Sequence, residues 1–340
     1  MADNRVYMLR RRVVGDDFES ALPFETAPMP QPDAGEVLVR NIYLSLDPAN
    51  RLWVREQGSY IPPLPLDAPM IGLIIGEVVE SRDDSLKPGD IVSGQGQWAD
   101  YSPAPAAGLT KLDPVPGVPL AAFAGPLGAT GWTAYFGLLE IGQPKAGETL
   151  LVSAAAGAVG SIVGQIGKIK GCRVIGIAGD DDKAAWLTRE LGFDGAVNYR
   201  KAEDLSAAIA AACPDGVDIY FENVGQPVFD AVLDNINMNA RIPLCGLIAQ
   251  YNATSPVCNT YKMEQILLQR ARIEGFLILD YFDRVAEAIG DLSGWMQAGK
   301  LKYRLTIEEG LENTLTAFHK LFAGGNVGKM LVKVGEEPGA

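Results

Sequence analysis

Two patterns of apolar and polar positions divide the chain. In the first third, short apolar runs alternate with proline and glycine turns. Residues 37–46 and 71–80 are such runs, and a turn at residues 87–90 leads into a third run at 91–93. Runs of this length between turn residues are typical of strands. This part therefore predicts a small, mostly β, barrel-like domain.

The pattern changes near Pro126, after which short apolar strands alternate with helical segments. Strands are predicted at 149–153, 173–178, 195–198, 217–222, 240–245 and 273–279. Helices are predicted at 133–139, 158–170, 181–191, 202–213, 226–237, 264–270 and 283–298. This β-α-β-α order predicts an α/β fold with a doubly wound parallel sheet, which binds ligands at the carboxyl ends of its strands.

The segment from Thr149 to Gly160 combines a predicted buried strand, a turn of small residues and a helix start. Ala154, Gly157 and Gly160 have the spacing A-x-x-G-x-x-G, a variant of the G-x-G-x-x-G phosphate loop. Small residues let the backbone approach a pyrophosphate, and the following helix points free N–H groups at the anion. The segment therefore predicts a dinucleotide-binding site.

Length, composition and charge narrow the class of protein. A chain of 340 residues predicts two domains. The net charge of −13 argues against nucleic acid and anionic membranes as partners. No apolar run approaches the ~18 residues of a membrane span, and the first residues lack the layout of a secretory signal. Four cysteines without a C-x-x-C pair favour a reducing, cytoplasmic setting.

Several motifs together point to a family. They include Tyr220-Phe221-Glu222-Asn223-Val224-Gly225, Cys245-Gly246-Leu247-Ile248, Gln250-Tyr251-Asn252 and Asn326-Val327-Gly328-Lys329. In these motifs the chain resembles the zinc-free medium-chain dehydrogenase/reductases. The branch is that of prostaglandin reductases, leukotriene B4 12-hydroxydehydrogenases and NADPH-dependent alkenal or curcumin double-bond reductases. The resemblance covers nearly the whole chain.

The resemblance implies a domain organisation and an assembly. A GroES-like, mostly β substrate domain is expected over residues 1–127. A Rossmann NADP-binding domain is expected over 128–305, with a return to the substrate domain over 306–340. A cytoplasmic homodimer is also expected.

The nature of the cofactor depends on the end of the second Rossmann strand. An acidic residue there would bind the ribose 2′-OH of NAD. Ala178 and Gly179 instead leave space for the 2′-phosphate of NADPH, and Lys183 and Tyr199 match the family residues that contact it. Asp180 stands 20 residues after Gly160, the spacing of the NAD acid, so NADH stays open as the less favoured cofactor. Asp180 and its neighbours could instead cap the helix.

Further cofactor contacts are carried over from the family. They are Gly157, Ala158, Val159, Gly160, Asn223, Cys245, Gly246, Leu247, Ile248, Phe276, Leu277, Ile278 and Asn326. For Asn223 and Asn326, an ordinary turn position is an equally good explanation.

The type of reaction is inferred from the lack of zinc ligands in the sequence and from Tyr251. With His319 as its single histidine and no cysteine before Cys172, the chain offers no set of ligands for a catalytic zinc. Reduction of an activated C=C bond needs no metal: hydride adds to the β-carbon of an enone or enal, and the resulting enolate needs a hydrogen-bond donor and then a proton. Tyr251 matches the family tyrosine and is predicted to supply both, although a pocket-lining role is the alternative.

The substrate side is less specific. Ala49 replaces an aromatic residue that relatives often carry, which changes the shape of the pocket. Arg51, Trp53 and Tyr60 are candidates for lining an apolar pocket, with ordinary loop packing as the alternative and a structural role open for Arg51. The leading function is enone or enal reduction. Quinone reduction, allylic alcohol dehydrogenation and non-catalytic NADPH binding are the alternatives.

Overall fold

The computed structural model describes residues 3–113 and 117–338. The strands are β1 (Asp3–Leu9), β2 (Phe24–Pro28), β3 (Glu36–Ser45), β4 (Ala68–Pro69), β5 (Ile71–Ser81), β6 (Ile91–Gln97), β7 (Tyr101–Pro105), β8 (Leu109–Lys111), β9 (Thr149–Val152), β10 (Arg173–Ala178), β11 (Gly195–Asn198), β12 (Val217–Phe221), β13 (Ile236–Leu244), β14 (Arg272–Gly275), β15 (Leu305–Glu309) and β16 (Lys329–Lys333). The α-helices are α1 (Phe18–Ala21), α2 (Asn50–Trp53), α3 (Ala129–Phe136), α4 (Gly160–Ile169), α5 (Asp181–Arg189), α6 (Leu205–Ala212), α7 (Val228–Leu233), α8 (Met263–Leu268), α9 (Val285–Gln297) and α10 (Thr314–Phe322).

The chain forms two compact units. The first comprises the described residues of Met1–Ala124 and Leu305–Ala340, and the second is Gly125–Arg304. The sequence-based boundaries lie at 127/128 and 305/306. No helix in the described part of the chain is long and apolar enough to cross a membrane.

The first unit is built mainly from β-sheet. Its larger sheet has the strand order β15-β16-β3-β5-β6-β8, with β7 also pairing with β3. Within it, β16 runs antiparallel to β3, so the C-terminal segment completes the sheet that the N-terminal segment begins. The long strand β3 is apolar on both faces and buried along nearly its whole length. Trp98 and Phe318, both fully buried, pack edge to face in the core beside it.

The second unit is a parallel sheet with the strand order β11-β10-β9-β12-β13-β14. This is the order of the Rossmann dinucleotide-binding fold, with the reversal between β9 and β12. The predicted α/β fold class is confirmed. Ligands of such sheets bind beyond the carboxyl ends of the strands at the reversal. The residues that follow β9 and β12, Ser153 and Glu222, therefore mark where a site is expected.

Several predicted elements have different bounds in the structure: α3 begins at Ala129 instead of residue 133, and β13 begins at Ile236 instead of residue 240. The helix predicted over 226–237 ends at Leu233, because Asn235 turns back and donates to the carbonyl oxygen of Ala231, after which β13 begins. The helix predicted over 202–213 starts only at Leu205, since the carboxylate of Asp204 accepts the Ala207 N–H and caps it. The strand predicted over 273–279 ends at Gly275 and gives way to a 3₁₀ turn over Ile278–Arg284.

Candidate functional site

The loop after β9 has the geometry of a phosphate cradle. Ala154 adopts a left-handed conformation with φ of 46°, which turns the chain sharply. The Gly157 N–H donates to the Ala154 carbonyl oxygen over 2.9 Å. A Cβ on Gly160 would lie 2.5 Å from that same oxygen, so only glycine allows this approach. Ala158 and Val159 complete the loop, and α4 begins at Gly160, where the N–H groups of Ser161 and Val163 donate to the carbonyl oxygens of Gly157 and Val159.

A pair of hydrogen bonds joins the ends of β9 and β12. The Asn223 N–H donates to Ser153 Oγ, and Asn223 Nδ2 donates to the Ser153 carbonyl oxygen, each over 2.8 Å. Asn223 is half-buried and Ser153 is fully buried. Together they fix the two loops that meet at the reversal of strand order. Sequence reasoning identified Asn223 but missed Ser153, whose only signal was its position directly after a buried strand.

The acidic residues after β10 serve local structure. Asp180 is the N-cap of α5, and its Oδ1 accepts the Lys183 N–H over 2.8 Å. Its Oδ2 lies 3.7 Å from Lys183 Nζ. Asp181 binds the side chains of Asn198 and Lys201. The structure therefore shows the capping alternative for Asp180, while Asp181 pairs with side chains of the loop after β11.

Gly179, Tyr199 and Arg200 lie together at the end of β10, just before α5. Tyr199 follows β11, and the Arg200 guanidinium carbon lies 5.7 Å from the centre of its ring. A Cβ on Gly179 would lie 3.2 Å from Tyr199 Cε1 and 3.5 Å from Arg200 Nε, so the glycine keeps this corner open. Sequence reasoning missed Arg200, although a cation directly after Tyr199 was a usable signal.

The electrostatics of this corner favour an anion. Burial lowers the pKa of Lys183, and repulsion from Arg200 lowers it further, while Asp180 partly opposes both. A half-buried ammonium that feels a second cation gains most from a nearby negative group. The corner therefore has the charge expected of a phosphate site.

An open cleft of about 460 Å³ lies at the carboxyl end of β13 and β14. It is lined by Leu244, Cys245, Gly246, Leu247, Tyr251, Gly275, Phe276, Leu277 and Asp280. The structure thus brings Tyr251 together with most of two segments about thirty residues apart in sequence that were predicted to bind the cofactor. Ile248 and Ile278 are not among these lining residues. Ile248 starts the 3₁₀ turn before Tyr251, and Ile278 starts the turn after Leu277.

Tyr251 lies close to the backbone of residues 245–249, which form one wall of this cleft. Its hydroxyl oxygen accepts the Leu247 N–H over 3.1 Å. A Cβ on Gly246 would be 3.3 Å from the same hydroxyl. The phenol therefore stands beside bare backbone, with its oxygen already bound to one N–H donor.

Backbone hydrogen bonds from the end of β12 hold the wall in place. The N–H of Cys245 donates to the Glu222 carbonyl oxygen over 2.9 Å, and that of Ile248 donates to the Asn223 carbonyl oxygen over 3.2 Å. Burial and the neighbouring Glu222 raise the pKa of Cys245 to about 12, so this side chain stays a neutral thiol at pH 7. The Cys245 side chain therefore lines the cleft with a neutral, polarisable sulfur atom.

Phe276 reaches inward from the opposite wall. Its ring lies edge to face with Phe221, with 6.2 Å between centroids. A Cβ on Gly137 would lie 2.2 Å from Phe276 Cζ. Gly137 opens the π-helical turn Gly137–Gly142 that follows α3. Because Gly137 has no side chain, the ring of Phe276 can pack against its backbone.

The remaining predicted site residues belong to the first unit. Asn326 is 8% exposed, and its Nδ2 donates to the Gly328 carbonyl oxygen over 2.8 Å. Arg51 is 3% exposed and donates to the carbonyl oxygens of Val13 and Gly15.

Trp53 and Tyr60, also in the first unit, form an aromatic pair, in which Trp53 Nε1 donates to the Tyr60 hydroxyl over 3.1 Å.

His319 is placed in the same unit. Its Nε2 lies 2.7 Å from Glu19 Oε1, and its ring packs edge to face on Phe18. Within residues 3–113 and 117–338, no group of three or more histidine, cysteine or acidic side chains has the geometry to hold a metal ion.

Comparison with known proteins identifies the family. Residues 5–112 match a family model described as the N-terminal domain of oxidoreductase, and residues 158–293 match one described as zinc-binding dehydrogenase. The NADPH-dependent curcumin reductase of Escherichia coli is 43% identical over 97% of both chains. The chain belongs to the medium-chain dehydrogenase/reductase family. The predicted resemblance is confirmed.

Two other members of the medium-chain dehydrogenase/reductase family are similar over the same span. The NADP⁺-dependent 2-alkenal reductase of Nicotiana tabacum is 40% identical over 98% of both chains. The crystal structure of CurA from Vibrio vulnificus in complex with NADPH has a TM-score of 0.92 and 42% identity, covering 98% of this chain and all of that one. Since the match runs end to end, the likeness includes both units.

Proposed function

We propose that this chain is an NADPH-dependent reductase of the C=C bond of α,β-unsaturated ketones and aldehydes. The observation that carries the proposal is the cleft in which the Tyr251 hydroxyl stands beside the backbone of Gly246 and Leu247. The related proteins named as curcumin and 2-alkenal reductases support the reaction class.

The residues present fit a dinucleotide. The bend at Ala154 and the close approach at Gly160 leave a bare backbone surface at the start of α4, a ten-residue helix. Gly157, Ala158, Val159 and Gly160 would hold the pyrophosphate there, through N–H groups and the helix dipole.

The phosphorylated ribose fits the corner after β10. Lys183, Tyr199 and Arg200 would bind the 2′-phosphate, in the space that Gly179 leaves open. The Asp180 carboxylate is occupied with capping α5, which supports NADPH over NADH. CurA, the similar protein, was solved with NADPH.

The nicotinamide end would contact the residues that line or adjoin the cleft. These are Asn223, Cys245, Gly246, Leu247, Ile248, Phe276, Leu277 and Ile278, with Asn326 proposed from the first unit. When bound, NADPH supplies a hydride to the β-carbon of the substrate. Trp53 and Tyr60 are the proposed substrate contacts of the first unit, while Arg51 contributes by holding α2 to the segment before it.

Tyr251 has two tasks in this reaction. As the electrons of the C=C bond move to the carbonyl oxygen, the phenol donates a hydrogen bond to the developing enolate. The α-carbon then gains a proton, with the phenol as the proposed donor. Because the Leu247 N–H binds the phenolic oxygen, it stabilises the negative charge left on Tyr251 by proton loss.

The test is an assay of NADPH oxidation by the purified protein. We expect oxidation with the enone 3-nonen-2-one, formation of the saturated ketone, and no comparable rate with a benzoquinone. A faster reaction with the quinone would replace the proposal by quinone reduction. NADPH binding without turnover of either compound would indicate a non-catalytic protein.

We also propose that the protein forms a homodimer through the edge of the second unit. Strand β14 ends the sheet on that side, and the neighbouring α8 has no buried residue. Tyr261, Met263 and Leu267 are 81%, 64% and 75% exposed. An unpaired edge with exposed large apolar side chains is typical of a protein interface, and a second copy would pair edge to edge.

Light scattering after gel filtration tests the assembly. Wild-type protein is expected at twice the mass of one chain, and Leu267→Glu at the mass of one chain. Leu66→Glu changes a leucine that is 46% exposed in the first unit and is expected to leave the mass unchanged. A monomeric wild-type protein contradicts this proposal.

We propose a reducing, cytoplasmic location for the enzyme. Cys172, Cys213, Cys245 and Cys258 are all free thiols. Recovery of the protein in the cytosolic fraction of its host, with four thiols reactive after denaturation without a reductant, is the expected result. Recovery in an oxidised, extracellular form would contradict it.

A further inference from the structure

Glu222 is a buried carboxyl group that the reaction above does not use. It directly follows β12 at the reversal of strand order and is 0% exposed. Its Oε1 accepts the N–H groups of Val224 and Gly225, so the side chain bends back over the turn that contains Asn223. A carboxyl group in this position holds the shape of the turn.

Backbone hydrogen bonds connect the turn at residues 222–225 to the cleft wall at residues 245–249. The Glu222 carbonyl oxygen accepts the N–H groups of Cys245 and Gly246 over 2.9 and 3.2 Å. The carbonyl oxygens of Asn223 and Val224 accept those of Ile248 and Ala249 over 3.2 and 3.0 Å. Residues 222–224 therefore position residues 245–249 through backbone hydrogen bonds. This segment includes Leu247, whose N–H donates to Tyr251.

The surroundings of the carboxyl group offer little to balance a charge. Among the described residues, Oε2 has no hydrogen-bond donor in suitable geometry, although the phenol of Tyr220 lies beside it. The other titratable group that faces Glu222 is the thiol of Cys245 after β13. Burial raises the pKa of Glu222 to about 7, while Tyr220 and the two backbone N–H groups oppose the shift. The carboxyl group therefore changes its charge near neutral pH.

We propose that Glu222 is a positioning residue whose neutral carboxyl group fixes residues 223–225, and through them the wall at 245–249, in the arrangement that binds the cofactor. A negative charge on this carboxyl group would be buried with Oε2 lacking a donor, and opening of the turn to water would relieve that cost. Ionisation of Glu222 therefore loosens the turn, and protonation tightens it. The part that concerns the cofactor rests on the proposed NADPH function, while the hold on the turn does not.

Hydrogen exchange of the protein without NADPH tests directly whether Glu222 fixes the turn at residues 223–225. In peptides covering residues 223–225 and 245–249, we expect wild type to exchange about tenfold faster than Glu222→Gln at pH 8, with the ratio near one at pH 6. Glutamine keeps the shape and one acceptor but cannot ionise. Glu148→Gln removes an ion pair with Arg241 in the same sheet and is expected to leave both peptides unchanged. Equal rates at pH 8, or a ratio independent of pH, would overturn the proposal.

Infrared difference spectra between pH 6 and pH 8 report the proton itself. Wild type is expected to lose a carboxylic C=O stretch that Glu222→Gln never shows. In Tyr220→Phe the midpoint of this loss is expected at higher pH, because the Tyr220 hydroxyl favours the ionised form. A midpoint unchanged in Tyr220→Phe would mean that the band belongs to another group and would count against the assignment.

Fluorescence titration with NADPH tests the link to the cofactor. At pH 8 wild type is expected to bind about threefold to tenfold less tightly than Glu222→Gln, and the difference is expected to vanish at pH 6. The 2′-phosphate of NADPH also titrates, but both variants share that contribution. Identical profiles would overturn the link. Absence of NADPH binding in wild type would contradict the proposed function, while hydrogen exchange would still decide whether Glu222 holds the turn.

Discussion

The backbone N–H of Leu247 donates to the hydroxyl oxygen of Tyr251 across 3.1 Å. The donor lies four residues before the acceptor, and the 3₁₀ turn Ile248–Gln250 closes the loop between them. This contact places the phenol on the wall of the cleft. It links the backbone that shapes the site to the side chain proposed to transfer a proton.

Removal of this hydroxyl is expected to affect turnover more than cofactor binding. Tyr251→Phe should lower kcat for enone reduction by ~10–1000-fold, with KM for NADPH little changed, because the enolate forms only during the reaction. Steady-state kinetics give both values. Tyr303→Phe, which removes another hydroxyl of the same unit, should retain wild-type kcat. If kcat of Tyr251→Phe equals that of wild type, Tyr251 has no part in the mechanism.

The two cations after β10 and β11 are expected to determine the choice between NADPH and NADH. Lys183→Ala and Arg200→Ala should each raise KM for NADPH by ~10-fold and leave KM for NADH nearly unchanged, since a charged hydrogen bond contributes about 1.5–3 kcal/mol. Lys201→Ala is the matched control, because Lys201 is 70% exposed and pairs with Asp181. An equal effect on both cofactors would contradict the assignment of the 2′-phosphate site.

The close approach in the phosphate loop makes Gly160 sensitive to a single methyl group. Gly160→Ala places Cβ 2.5 Å from a backbone oxygen that cannot move without distorting the loop. We expect a loss of about 1–3 kcal/mol of stability and a large loss of NADPH affinity, measured by urea unfolding and fluorescence titration. Gly290→Ala in α9 meets nothing within 4 Å and should be neutral or stabilising. Full NADPH affinity in Gly160→Ala would exclude the cradle.

The raised pKa of Glu222 makes the stability of the protein depend on pH. The folded value is about 7 against an ordinary 4.5, so the folded state holds this proton more firmly than the unfolded state. The resulting stabilisation is complete below pH 4.5 and is lost as pH rises through 7. Relative to Glu222→Gln, wild type should therefore lose up to about 3 kcal/mol of unfolding free energy between pH 5 and pH 8.

Urea unfolding of both variants at several pH values measures this difference, and the other titrating groups cancel in the comparison. A constant difference across the range would mean that the carboxyl group has an ordinary pKa in the folded protein.

The sequence by itself determined the local features of this protein. Alternation of short apolar runs and helical segments gave most elements of the second unit, because burial on one face leaves a periodic trace in the chain. The spacing of Ala154, Gly157 and Gly160 predicts a phosphate loop, since a tight turn and a helix start need small residues at fixed offsets, and the structure shows that turn and that helix start. Lys183, Tyr199 and Tyr251 came from the family motifs, and the structure places Tyr199 beside Gly179 and Tyr251 in the cleft.

Only the tertiary structure decided which side chains act together. Strand order brings Arg200 after β11 beside Gly179 after β10, a neighbour 21 residues away in sequence. Asp180 has the spacing of an NAD-binding acid, yet its carboxylate caps α5 because the nearest unpaired N–H groups belong to that helix. In the sequence, Glu222 is one residue of a family motif. In the structure, its charge depends on its burial between segments that are far apart in sequence. Spacing fixes what a residue can do locally, while burial and long-range neighbours, set by the packing of the whole sheet, decide its charge and its partners.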